Sequence, residues 1–301
     1  MARRKFLVIA IVVGLALAVV SFVGGAVGAI IADREPLSIF DVATPHVELA
    51  AGKPFPGLPI TNTMIAAWIT LLVLFALFFA ATRRMKLIPT GLQNLIEFLY
   101  ETVAGFIEGI AGKENGRRFL PFVLTIFLFV LVNAWIGLVP GFESIKLNGM
   151  PLLRNANTDI NVPLMLALVS VVAIEYWGFK AKGISYLKTF VNFGPLSQGF
   201  VQLFKGRIKA GVGGIFNGIA AAFVGILEVL SHLIRVISFT FRLFGNMTAG
   251  LVLTGVVIFI VPLVIPSIFY GLEALFGFVQ ALIFGGLTLV FGYAAVMSAE
   301  E

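Results

Sequence analysis

Residues 212–260 read VGGIFNGIAAAFVGILEVLSHLIRVISFTFRLFGNMTAGLVLTGVVIFI, and 261–297 continue as VPLVIPSIFYGLEALFGFVQALIFGGLTLVFGYAAVM. Only Pro262 and Pro266 interrupt this apolar stretch. Each half exceeds the roughly 20 residues a helix needs to cross a bilayer. Two long membrane helices joined near 262–266 are therefore expected. Working outward, further apolar runs lie at 64–81, 119–139 and 162–179, with another at 6–32 behind Arg3, Arg4 and Lys5. The 6–32 run is longer than the roughly 7–15 apolar residues of a secretory signal, and small-x-small spacing is poor near Ile30 and Ala32. It reads as a retained N-terminal anchor, with a cleaved, signal-like segment as the alternative. The expected fold is all-α: a polytopic integral membrane protein with about five to six membrane helices. Residues 1–32 form the anchor and 33–301 a single membrane domain, with no internal repeat and no separate soluble domain.

Composition agrees with that class. Of 301 residues, 59% are hydrophobic and 12% charged, and the mean hydropathy is +1.05. Ordinary soluble domains are about 45–50% apolar and about 25% charged, so these few charges could not cover a water-exposed globule. The absence of cysteine excludes disulfide scaffolds and thiol chemistry. With just two histidines and no metal-ligand spacing, no metal site and no cofactor are expected. The net charge of +6 does not point to nucleic acid, because the basic residues lie between the apolar runs.

Those loops set an orientation, since Lys and Arg accumulate on the cytoplasmic side. Segment 83–118 carries Arg83, Arg84, Lys86, Lys113, Arg117 and Arg118, and segment 180–209 carries Lys180, Lys182, Lys188, Lys205, Arg207 and Lys209. Segment 33–61 instead has Arg34 and Lys53 against Asp33, Glu35, Asp41 and Glu48, and 141–160 is similarly sparse. Both termini are expected inside, with 33–61 and 141–160 outside. Within the first inner segment Leu92, Leu95, Ile96, Leu99, Val103, Phe106, Ile107 and Ile110 recur at helical spacing, with Glu97, Glu101 and Glu108 between them. This predicts an amphipathic helix on the membrane surface or packed against the bundle.

Ionisable groups inside a membrane are costly, so they mark function by default. An arginine at a helix centre costs about 2.5–3.5 kcal/mol on insertion scales. In 225–250, Glu228, Ser231, Arg235, Ser238, Arg242 and Asn246 follow at steps of three or four and share one helix face. At roughly 1.5 Å per residue, Glu228 lies about 21 Å along the axis from Arg242. Such a stripe fits a hydrated path. In the last helix Glu273 and Gln280 are seven apart on one side, near Gly277, Ala281, Gly285 and Gly286. Small residues of this kind let helices approach closely. Arg235 and His232 also read as residues at the inner end of a basic loop, and Glu175, beside Tyr176 and Trp177, as an interfacial acid.

The segment FRLFGNMTAG (241–250), with Ser238 before it and Glu228 fourteen residues upstream of Arg242, resembles subunit a of F-type ATP synthases and its RLFGN signature. TIFLFVLVNAWIGLVPG (125–141), TDINVPLMLAL (158–168) and VQALIFGGLTLVF (279–291) resemble further segments of that family, so the likeness covers roughly residues 60–298. The resemblance implies a proton-conducting stator subunit of the bacterial plasma membrane, with two half-channels and a long, steeply tilted C-terminal helical hairpin around a rotor. Arg242 matches the essential arginine facing the carboxylates of a rotor ring of c subunits. Asn246 and Gln280 match polar residues on the outer side, and Glu228 and Ser231 match residues of the inner half-channel. Leu251 stands where the family often has an acid or histidine, and Glu273 where some members have histidine, so the outer path falls to Glu273. Asn133 is one residue further from Pro140 than is usual, and Pro163 replaces a commonly hydroxylic residue. Implied partners are the rotor ring, b-type peripheral-stalk subunits, the remaining synthase subunits and the lipid bilayer. No catalytic residue is implied: ATP chemistry belongs to soluble partner subunits, and no GxxxxGK[ST] loop occurs here.

Two rival classes predict other features. A self-contained secondary transporter commonly shows repeated halves and broken helices near the midplane. An intramembrane hydrolase needs a nucleophile with its base, or paired metal ligands, within the spans. His46 and His232 are too few for the latter.

Overall fold

In the computed structural model, the described residues are 2–33, 50–139, 141–142, 145–190, 194, 197, 201–202, 205 and 208–297. Arg34, Glu35, Asp41, His46, Glu48, Pro140 and Arg207 lie outside them. The described residues are all-α apart from one short antiparallel strand pair, β1 (Lys146–Leu147) and β2 (Met150–Pro151). Among the described residues, five helices are long and apolar enough to cross a membrane, and Val8–Gly24 is a shorter apolar helix. In chain order the helices are α1 (Ala2–Gly24), α2 (Ala26–Ile31), α3 (Asn62–Thr82), α4 (Leu92–Gly137), α5 (Asn161–Lys182), α6 (Leu187–Phe190), α7 (Ile208–Ile260) and α8 (Ile265–Met297).

Two sequence expectations change in detail. The 6–32 run is not one helix: Gly25 takes an extended backbone (φ −81°, ψ −172°) and separates α1 from α2. The surface helix and the 119–139 span join into α4, broken at Gly112, whose φ of 72° and ψ of 168° are non-helical. A residue with a Cβ is penalised at positive φ, so glycine lets the chain turn there. The two long C-terminal helices form as expected, with Pro262 in the turn and Pro266 in the first turn of α8, where a missing N–H does least harm.

The chain divides into two compact units. The first comprises residues 1–77, 128–159 and 243–282. Here α1 meets the 261–264 turn: Ser21, fully buried, accepts a hydrogen bond at Oγ from the Leu263 amide at 3.0 Å. Ahead of α5 lies a buried polar knot. Arg154 donates from Nε to Thr158 Oγ1 (3.1 Å) and from Nη1 to the Ala50 carbonyl (3.1 Å). Asn155 Oδ1 accepts from the Asn157 amide, and Thr63 donates to Asp159 Oδ2 at 2.8 Å. Asn133, 2% exposed, donates to Thr70 Oγ1 at 3.3 Å and so ties α4 to α3. Buried polar groups need such partners, because an unmade hydrogen bond costs more than a made one gains.

The second unit comprises 78–127, 160–242 and 283–301. Its core is Ile107, Ala111, Phe119, Leu120, Val123 and Leu289, with Trp177 packed against it. Trp177 lies 4.5 Å from Phe119, ring centre to ring centre, and a Cβ placed on Gly292 would meet the indole at 2.6 Å. Overpacking of this kind costs about 1–3 kcal/mol. Gly292→Val is therefore expected to lower the thermal midpoint of the detergent-solubilised protein. An unchanged midpoint would mean that Trp177 yields freely.

Candidate functional site

The Arg242 stripe needs an unbroken helix, and α7 runs without interruption from Ile208 to Ile260. The spacing of Glu228, Ser231, Arg235, Ser238 and Arg242 therefore places them along one face of the second unit. Arg242 is half-buried. Its Nη2 donates to Ser238 Oγ at 3.4 Å, one turn back. Within this unit no described carboxylate pairs with it: the ion pairs there are Arg118–Glu114, His232–Glu175 and His232–Glu228. A guanidinium keeps its charge in any protein environment, so Arg242 presents a standing positive charge with fork donors to spare. Ser231 is exposed on the helix surface.

Arg235, one of the residues also read as belonging to a loop end, packs into the unit with its guanidinium 3.9 Å over the Phe291 ring. His232 likewise turns inward. Its Nε2 lies 3.3 Å from Glu228 Oε1 and its Nδ1 lies 2.5 Å from Glu175 Oε1. Phe239, 2% exposed, seals this face of α7 against Phe284 of α8 at 5.1 Å.

The remaining candidates lie in the first unit, where 243–260 of α7 meets 265–282 of α8. Asn246 donates from Nδ2 to Gln280 Oε1 at 2.8 Å. Gln280 is 2% exposed, and its Nε2 has no protein acceptor among the described residues. Glu273, 9% exposed, accepts from Thr254 Oγ1 at 3.1 Å. Gly250 leaves room for that carboxylate, since a Cβ there would approach Glu273 Oε1 to 3.2 Å. Asn246, Gly250 and Thr254 are four apart, one stripe of α7 against Glu273 and Gln280, which are seven apart on α8. Trp135 Nε1 donates to the Ala274 carbonyl and fixes α8 beside α4.

Sequence reasoning missed Thr254, the hydroxyl partner of Glu273. The signal was present: a polar residue in LVLTGVV, continuing the Asn246–Gly250 spacing. Asp159 and Thr63 were also missed, because nothing local relates residues so far apart in sequence. Among the described residues no group of three or more His, Cys, Asp or Glu could hold a metal ion.

Residues 64–292 match the family model described as "ATP synthase A chain". A curated relative, "ATP synthase subunit a" of Gloeobacter violaceus, is 32% identical over 242 residues, covering 80% of this chain and 85% of that protein. The sequence signature, the five apolar helices and this match over most of its length agree: the chain belongs to the ATP synthase A chain family.

Proposed function

We propose that the chain is the ion-conducting stator subunit of a bacterial plasma-membrane ATP synthase, passing protons to and from the carboxylates of a rotor ring. The observation that carries this reading is Arg242: a half-buried guanidinium in an apolar helix, hydrogen-bonded to Ser238, with no carboxylate partner in its own unit. A charge this costly in a membrane calls for an anion, and a moving ring of acids supplies one at each step. An opposite charge nearby favours the ionised carboxyl, so each arriving acid releases its proton and stays as the anion until it moves on. The fixed cation also repels protons, preventing a direct leak between two paths.

In this reading Glu273, Thr254, Gln280 and Asn246 line the outer path, and Glu228 with Ser231 the inner one. Ser238 orients the guanidinium. Both termini face the cytoplasm, following the basic segments 83–118 and 180–209. Rotor-ring c subunits, b-type stalk subunits and the soluble catalytic sector are the partners. The chain breaks no covalent bond itself. At roughly 1.5 Å per residue, α7 is about 80 Å long, far beyond the about 30 Å of hydrocarbon, so a steep tilt along the rotor accommodates it.

Gentle detergent extraction with a tag on this chain tests the assignment. The chain is expected to co-purify with a ring of small carboxylate-bearing proteolipids, and the complex to pump protons when given ATP. Isolation of the chain alone with substrate uptake of its own would establish a transporter instead.

A further inference from the structure

His232 stands one turn after Glu228 on α7, and Glu175 lies in the last two turns of α5, so two carboxylates reach one imidazole from two helices. The contacts are Nε2 to Glu228 Oε1 at 3.3 Å and Nδ1 to Glu175 Oε1 at 2.5 Å. Tyr186, 3% exposed, lies close enough to Glu175 to interact with it electrostatically. Gly178 makes room for Tyr186, since a Cβ there would meet its ring at 2.6 Å. Phe190 packs edge-on against the imidazole at 5.2 Å. Arg235, stacked on Phe291, and Lys182, 5.7 Å over the Tyr186 ring, are charged groups near this cluster. The His232 side chain is 14% exposed, Glu175 25% and Glu228 40%. The ring is thus enclosed while both carboxylates keep an opening.

Proton counting limits what this arrangement can be. A neutral imidazole has one N–H and one lone pair, but here each ring nitrogen faces a carboxylate oxygen. The Nδ1 contact is close but not aligned as a hydrogen bond, and Glu175 Oε1 has no hydrogen-bond partner among the described residues. A small rotation of the imidazole brings Nδ1 into line when the cluster holds one proton beyond two carboxylates and a neutral ring. That proton can reside on Glu228, on the ring as imidazolium, or on Glu175. We propose that Glu228, His232 and Glu175 form a proton relay that extends the inner path from α7 to α5. In transfer outward from Glu228, its O–H bond breaks as the Nε2–H bond forms. The Nδ1–H bond then breaks as Glu175 gains O–H. One proton moves, no electrons are exchanged, and the ring returns neutral in its other tautomer. Glu175 gives its proton to water, and the ring regains its first tautomer as Nε2 gives its proton to water and Nδ1 takes one from water. The reverse sequence serves pumping. Chains of Asp, Glu and His are a recurrent way to carry protons through membrane proteins. A purely structural ion pair between α5 and α7 would need one carboxylate, whereas two converge on this ring.

The relay rests on the reading of the chain as an ion conductor, and its test separates the two. The whole synthase is reconstituted in liposomes, ATP-driven pumping is recorded, and passive proton flow under a potassium diffusion potential is then recorded after removal of the soluble sector. Glu175→Gln and His232→Gln are each expected to lower passive flow roughly tenfold or more, with the double variant no worse than either single one. Added imidazole should restore most of the flow to His232→Ala, a response that loss of a structural pair would not give. Normal flow in the assembled single variants, or additive losses without imidazole rescue, overturns the relay. An Arg242→Ala complex that still pumps overturns the conductor reading itself. If the variants do not assemble, the wild-type complex with ¹⁵N-histidine in this chain decides. Each His232 ring nitrogen is expected to exchange its proton across about pH 5–8, whereas a ring locked in one tautomer throughout refutes the proposal.

Discussion

Arg242→Ala is expected to abolish ATP-driven proton pumping while the complex still assembles, read as loss of the pH gradient in vesicles with normal subunit recovery. Two unit charges about 4 Å apart interact by about 4 kcal/mol at an effective dielectric of 20. That is close to three tenfold steps in the balance between a rotor carboxylate and its protonated form. In the proposed function, without the cation each rotor carboxyl would pass the Arg242 position still protonated, and rotation would release no proton. Folding has little reason to suffer. Arg242 is half-buried and its hydrogen bond to Ser238 is long, 3.4 Å, and alanine favours the helix. Removing the charge also removes a membrane cost of about 2.5–3.5 kcal/mol. Undiminished pumping by a correctly assembled variant would refute the role given to Arg242.

Glu273→Gln is expected to have the next largest effect, slowing proton flow by about tenfold or more. Glutamine has almost the same shape and can still accept the Thr254 hydroxyl, so packing against Gly250 survives. What is lost is a group able to take up and release a proton. Leu251→Ala should change flow far less, since Leu251 is apolar and half-buried. Thr254→Val is expected to fall between them, because it keeps the carboxylate but removes a hydroxyl that holds it. Flux assays on the three reconstituted variants check this order. Equal, negligible effects of Glu273→Gln and Leu251→Ala would place the outer path elsewhere.

The single proton-holding carboxylate that sequence reading assigned to the inner path, Glu228, also acquires company in the structure. His232 and Glu175 each had an ordinary reading by themselves, as a loop-end histidine and an interfacial acid. Their helices bring them to 2.5 Å, and the pair then has a chemistry that neither residue announces alone. Arg235 changes in the same way, from a loop-end cation to a guanidinium stacked on Phe291.

By itself the sequence determined the class, the spans and the polar stripe of α7. Transfer of apolar residues from water to lipid is a local property, additive along the chain, and helical spacing alone decides which residues share a face. That is why Arg242, Ser238 and Glu228 were legible from 225–250. Tertiary structure decided what lies across from each: Thr254 on Glu273, Gln280 on Asn246, Glu175 on His232, Thr63 on Asp159. Those partners depend on the rotation and register of one helix against another. Close packing at glycines and a few hydrogen bonds set both, and neither leaves a period in the sequence.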